Sequence, residues 1–137
     1  MPGYWVRKLT ITEEFRIHSF NGRSIRAGHK VLRDGWTPET ASSWVRSYDA
    51  GWKVDYTGFQ STQAQRRLAH RAVRALGLTF GAVDLGINVD GDLFVFEVNR
   101  APGLEGGSFD AYVKHLKKLL QEQQGQQGQA TPAPAPQ

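Results

Sequence analysis

Two pairs of alternating apolar and polar runs mark this chain, and each pair is divided by a turn dipeptide. TITEEFRIHSF and RSIRAGHKVL flank Asn21-Gly22, while FGAVDLGINV and DLFVFEVN flank Asp90-Gly91. Asn-Gly or Asp-Gly between such runs predicts a hairpin with a two-residue type I′ turn, because glycine accepts the positive φ that this turn demands. In the first hairpin Phe20 then faces Arg23 and Arg16 faces Ala27, so Glu14, Arg16, His18 and His29 share a face. In the second, Val89 pairs with Asp92, and counting back sets Ile87 against Phe94, Leu85 against Phe96, Asp84 against Glu97 and Ala82 against Asn99. One face is apolar through Leu85, Phe94 and Phe96. The other carries Asp84, Glu97 and Asn99 beside the small residues Ala82 and Gly86.

A different period appears between the hairpins. Leu68, Ala69, Ala72, Val73 and Leu76 recur at helical spacing and predict a helix from Thr62 to Leu76, opened by a Thr62/Gln65 capping box and stopped by Gly77. A second helix is expected from Ser108 to about Leu120, with Phe109, Tyr112, Val113, Leu116, Leu119 and Leu120 on one face and Lys117 and Lys118 at its negative end. Residues 34–60, rich in Gly, Trp, Tyr and Ser, read as a long functional loop or flap with a short strand at Trp52 to Tyr56. Beyond Gln121 the sequence QEQQGQQGQATPAPAPQ has few residues able to drive ordering. The expected organisation is one domain over 1–122 and a disordered tail over 123–137. Its class is α+β: a mainly antiparallel sheet with two helices packed on the apolar face.

Composition narrows the function classes. With 137 residues, 39% hydrophobic, the chain holds one modest core. The absence of cysteine excludes disulfides, thiolate zinc and a cysteine nucleophile. No apolar run reaches the roughly 20 residues of a membrane span, and MPGYWVRKLT has no signal-peptide core, so a cytoplasmic location is expected. Seventeen Lys and Arg against thirteen acids give a net charge of +4, which favours an anionic partner.

The opposed pair Asp84 and Glu97 carries the candidate chemistry. Like charges directly opposite destabilise a sheet, whereas a hard cation such as Mg²⁺ would reverse the penalty, since it takes carboxylates together with substrate phosphates. Carboxylates on a wet sheet face are otherwise ordinary. Here the small neighbours of Asp84 and the following RAPGLEGGS loop, which leads to a helix N-terminus, favour a site.

FGAVDLGINVDGDLFVFEVNRAPGLEG resembles the C-terminal signature of the ATP-grasp superfamily. The resemblance extends back through EFRIHSFNGRSIRAGHKVLRDG, WVRSYDAGW and AHRAVRALGL, over residues 11 to 120, and is nearest to phage and bacterial ATP-grasp proteins with an EYRVHV-type strand. It implies the C-terminal half of an ATP-grasp fold. It also implies a carboxylate-amine ligase that uses ATP and two Mg²⁺ ions to form an acyl phosphate for attack by an amine. Under this resemblance Asp84, Glu97 and Asn99 are the metal ligands and Arg16 is the catalytic, phosphate-contacting cation. Lys30, Arg46 and Arg100 are further phosphate or substrate contacts. Ala82 stands where some of these ligases have an arginine, so charge neutralisation falls to Arg16 and Lys30. The partners implied are nucleotide, a small carboxylate or peptide, and a second chain supplying the subdomain not matched here.

Two other readings compete. One is a non-catalytic module, either half of a cleft that completes another polypeptide or a remnant. The other, the weakest, is a nucleic-acid-binding domain using Trp36, Trp44, Trp52, Tyr48 and Tyr56 among cations. The helix cations Arg66, Arg67, Arg71 and Arg74 read as a solvated face.

Overall fold

The structure, a computed structural model, describes residue 3 and residues 7–128. Five strands and two helices follow in the order β1 (Ile11–Phe20), β2 (Arg23–Leu32), β3 (Trp52–Asp55), α1 (Gln63–Ala75), β4 (Phe80–Asn88), β5 (Leu93–Asn99) and α2 (Gly107–Gly128). The strands form one antiparallel sheet ordered β3-β2-β1-β4-β5. The expected α+β class is the one found. The chain divides into two compact units, one up to Pro102 that holds the sheet and α1, and one from Gly103 that holds α2.

The β1–β2 turn has the expected geometry, with Asn21 at φ 47° and Gly22 at φ 82°, and Phe20 faces Arg23. Two pairs further on the register slips. Ser19 pairs with Ser24 but His18 pairs with Arg26, so Ile25 is an extra residue on β2. A β-bulge of this kind moves every later residue to the other face. Arg16 therefore opposes Gly28, where Ala27 was expected, and Lys30 takes the place expected for His29 on the Arg16 face. His29 is turned to the core side, with its ring centroid 5.3 Å from that of Phe59.

The β4–β5 connection also departs from its expected form. Asn88 and Asp92 close it, with Asn88 N–H donating to Asp92 O at 3.1 Å, so three residues span the turn. The Asn88 side-chain oxygen accepts from the N–H groups of Asp90 at 3.0 Å and Asp92 at 2.8 Å, and only Gly91 has positive φ, at 83°. An asparagine that satisfies the turn amides selects this three-residue loop over a two-residue turn. Leu85 then faces Val95, and Gly86 faces Phe94. A second irregularity at Phe96 restores the count, so Asp84 still pairs with Glu97 and Ala82 with Asn99. The two offsets cancel. Phe94 consequently shares a face with Gly86 and not with Leu85, and the Phe96 ring lies where a Cβ on Gly86 would be. The expectation that both rings sit in the core, and that Gly86 leaves space for a ligand, is corrected on both counts.

Helix α1 begins with the expected capping box: Thr62 N–H donates to Gln65 Oε1 at 2.8 Å, and Gln65 N–H to Thr62 Oγ1 at 3.2 Å. It ends in a Schellman motif, with Gly77 at φ 69° and Leu78 N–H donating to Val73 O. Its buried stripe, Ala69 and Val73, meets Phe15, Ile17, Val83 and Leu85 of the sheet. The Val, Ile, Leu and Phe side chains among these each contribute about 1.5–3 kcal/mol when fully buried, and together they rigidify β1 and β4. Helix α2 continues to Gly128, past the expected end near Leu120. Straight-chain Gln, Glu and Lys residues favour helix enough to offset Gly125. The remainder of the expected tail lies outside the described residues.

Candidate functional site

The sheet face opposite α1 gathers the charged residues of four strands. Glu14 and Arg16 project from β1, Lys30 from β2, Asp84 from β4 and Glu97 from β5, because each occupies the same parity in its ladder. Gly28 lets β3 approach: a Cβ there would lie 2.7 Å from Asp55 O and 2.8 Å from Tyr56. The segment between β2 and β3 folds over the end of this face and brings Arg46 and Tyr48 to it, beside Trp52 at the start of β3. The result is an open cleft of about 470 Å³ whose lining includes Arg16, Lys30, Arg46, Asp84 and Glu97.

Charges in the cleft alternate. Arg16 holds Asp84 in a forked pair, Nε to Oδ1 at 2.7 Å and Nη2 to Oδ2 at 2.9 Å. Lys30 Nζ lies 3.5 Å from Asp84 Oδ2 and 3.1 Å from Glu14 Oε2. Arg46 Nε is 3.8 Å from Glu14 Oε1, its guanidinium covers the Trp52 ring at 4.6 Å, and Nη2 donates to Ile11 O at 3.1 Å. The Asp84 hydrogen bonds hold the Arg16 guanidinium above its ordinary pKa, against the opposing effect of burial. His18, further along the same face, bonds Tyr56 Oη at 2.9 Å, and Arg26 covers the Tyr56 ring at 3.7 Å. Burial, and then the Arg16 and Arg26 charges, push the His18 imidazole down to about 4.

Five of the seven residues expected from sequence thus line one cleft. Asn99 follows Glu97 on the same face of β5, with its Oδ1 accepting from Ala101 N–H at 2.9 Å. Arg100 is exposed and outside the lining. Glu14 was not expected to have a role beyond sharing the face, yet it anchors both Lys30 and Arg46. The Glu14-x-Arg16-x-His18 alternation was its signal.

The donor set fits a hard cation delivered with phosphate. Among the described residues no group of three His, Cys, Asp or Glu could hold a metal alone. Asp84, Glu97 and Asn99 offer only oxygen, and Mg²⁺ commonly takes one or two carboxylates and completes its shell with phosphate and water. A carboxylate has about four lone-pair sites, so Asp84 retains acceptor capacity beside Arg16.

No protein-family model matches the chain. A curated relative, a probable alpha-L-glutamate ligase of Xanthomonas euvesicatoria pv. vesicatoria (strain 85-10), is 38% identical over 73 residues, covering 48% of this chain and 24% of the relative. Among solved structures, the ATP-grasp ligase PsnB complexed with minimal precursor aligns with a TM-score of 0.52 at 18% identity over 72% of this chain and 29% of that one. The same ligase with minimal precursor, Mg and ADP aligns with a TM-score of 0.52 at 19% identity, over 72% of this chain and 28% of that one. The chain thus shares the fold of a subdomain-sized portion of these ATP-grasp ligase structures, and about half of it is similar in sequence to the glutamate ligase. It spans about a quarter of the length of the curated relative.

Proposed function

We propose that this chain forms the metal- and phosphate-binding wall of an ATP-dependent carboxylate-amine ligase. The observation that carries the reading is the Arg16–Asp84–Lys30 cluster facing Glu97 across one cleft, on a fold shared with part of the ATP-grasp ligases. In such a reaction a substrate carboxylate oxygen attacks the γ-phosphorus of ATP and ADP leaves. An amine then attacks the acyl phosphate, releasing phosphate and a proton. Mg²⁺, as two ions held by Asp84, Glu97 and Asn99, supplies charge neutralisation on the phosphates when bound.

The chain's own residues orient and balance charge. Arg16, fixed by its fork on Asp84, presents a rigid planar cation to the transferring phosphoryl group. Lys30 lies within reach of Asp84 and adds a second cation on the adjoining strand. Arg46 binds nucleotide or substrate from the segment between β2 and β3, and Arg100, outside the lining, is a further substrate contact. Of the four cations in the lining, Lys53 pairs with Asp34 outside it, and Arg16, Lys30 and Arg46 stand against three carboxylates, Glu14, Asp84 and Glu97. A nearly neutral cleft suits a nucleotide tetra-anion accompanied by two divalent ions.

Isothermal titration of the purified chain with Mg·ATP tests this. Binding is expected only with Mg²⁺, and is expected to be lost in Asp84→Asn and in Glu97→Gln. Unchanged affinity in both variants would overturn the metal-site reading.

A second reading, half of a cleft completed by another polypeptide, is supported by the exposed side chains beside the site: Trp44 at 70%, Val45 at 58% and Tyr48 at 63%. Such a patch suits a covering partner. Mg·ATP binding that appears only when a second polypeptide is added would favour it.

A further inference from the structure

The other side of the sheet carries a charge layout that folding alone disfavours. Helix α1 has Arg66, Arg67, Arg71 and Arg74 over thirteen residues and no acid. Arg67 and Arg71 are four apart and Arg71 and Arg74 three apart, so like charges are stacked along one stripe. Arg66 closes the first turn, at the positive end of the helix dipole, where acids are favoured. Arg67, Arg71 and Arg74 are exposed and have no ion pair among the described residues, as does Arg23 on the adjoining β1–β2 turn.

Two hollows of about 350 Å³ each lie between that turn and α1 and share Gly22 and His70. One is bordered by Arg23, Ser24, Arg66 and Arg67, the other by Asn21, Arg74 and Thr79. No carboxylate and no aromatic ring other than the His70 imidazole lines either. His70 Nδ1 is buried without a hydrogen-bond partner among the described residues. The cations here are arginines only, whereas the lysines of the second unit are Lys114, Lys117 and Lys118. Guanidinium forks match phosphate oxygens in pairs, as an ammonium does not.

We infer that the α1 and β1–β2 turn face, through Arg23, Arg67, Arg71 and Arg74, binds the phosphate backbone of duplex nucleic acid without reading its sequence. A duplex supplies the continuous row of phosphates that a linear stripe of arginines matches. The lack of Phe, Tyr and Trp in the hollows leaves nothing for unpaired bases to stack on. This face lies across the sheet from the cleft, so the inference stands apart from the ligase reading.

The test is fluorescence anisotropy with a labelled duplex of arbitrary sequence, from about 50 mM to 200 mM salt. Four phosphate contacts predict a slope of about −3.6 in log affinity against log salt. The triple variant Arg67→Gln, Arg71→Gln, Arg74→Gln is expected to lose at least about tenfold in affinity and most of that slope, with a melting temperature equal to or above that of the parent because the repulsion is relieved. Excess Mg·ATP should weaken binding no more than a magnesium salt does at the same free Mg²⁺ and ionic strength. Absence of binding at low salt, parental affinity in the triple variant, or displacement by Mg·ATP beyond that of the matched magnesium salt would each overturn the proposal. Equal competition by a polyglutamate peptide would also overturn it, in favour of an acidic polypeptide.

Discussion

Arg16 and Asp84, on neighbouring strands and directly paired, hold one another through two hydrogen bonds of 2.7 and 2.9 Å. Asp84 is buried while Arg16 is only partly covered, so the carboxylate depends on the guanidinium more than the reverse. Asp84→Asn should leave Arg16 and Lys30 short of a counter-charge and cost about 2 kcal/mol of stability. Mg-dependent nucleotide binding should disappear in the same variant. Urea denaturation and calorimetry on one sample separate the two effects, and a loss of stability with full nucleotide binding would remove Asp84 from the metal set.

Glu14 joins Lys30 on β2 to Arg46 in the segment between β2 and β3. Glu14→Gln keeps the shape and removes the charge, so Arg46 should be held less firmly. Amide hydrogen exchange at Trp44 to Ser47 should quicken, with about 1–2 kcal/mol lost from global stability. Unaltered exchange there would show that Trp52 stacking and the Ile11 carbonyl suffice to hold Arg46.

Gly28 is required by close approach, because its added Cβ would meet a backbone oxygen that cannot move without shifting β3. Gly28→Ala should cost about 1–3 kcal/mol and open the cleft on the Trp52 side. A denaturation midpoint within error of the parent would show that β3 yields freely.

His18 sets a pH dependence. Its folded imidazole protonates near 4, against an ordinary value of 6.5. Between these values the unfolded chain binds the proton and the folded chain does not, so stability falls as pH drops from about 6.5 to about 4. The expected loss approaches roughly 3 kcal/mol. Above pH 7 the contribution is flat. An NMR titration in which His18 protonates near 6.5 would contradict this.

Much of the fold was legible in the chain because it rests on local rules. Alternation set the strands, Asn21-Gly22 the first turn, and the Thr62/Gln65 box with Gly77 the bounds of α1. The facing of Asp84 and Glu97 was legible too, though by a count that omitted two compensating irregularities.

Which face each residue takes beyond a bulge was decided by the tertiary structure. Nothing local to RSIRAGHKVL marks Ile25 as the extra residue, and that one residue exchanges His29 for Lys30 on the charged face. The bulge is compatible with packing because His29 and Ala27 can fill the α1 side beside Phe59 and Phe15 while Lys30 reaches Glu14 and Asp84. The role of Glu14 likewise required the path of the segment carrying Arg46. The amino-acid sequence determined the elements and the facing of Asp84 and Glu97, since these follow from period and residue type. Register across bulges and the alternating charges of the cleft came from the assembled sheet, where burial and ion pairing between strands distant in sequence act together.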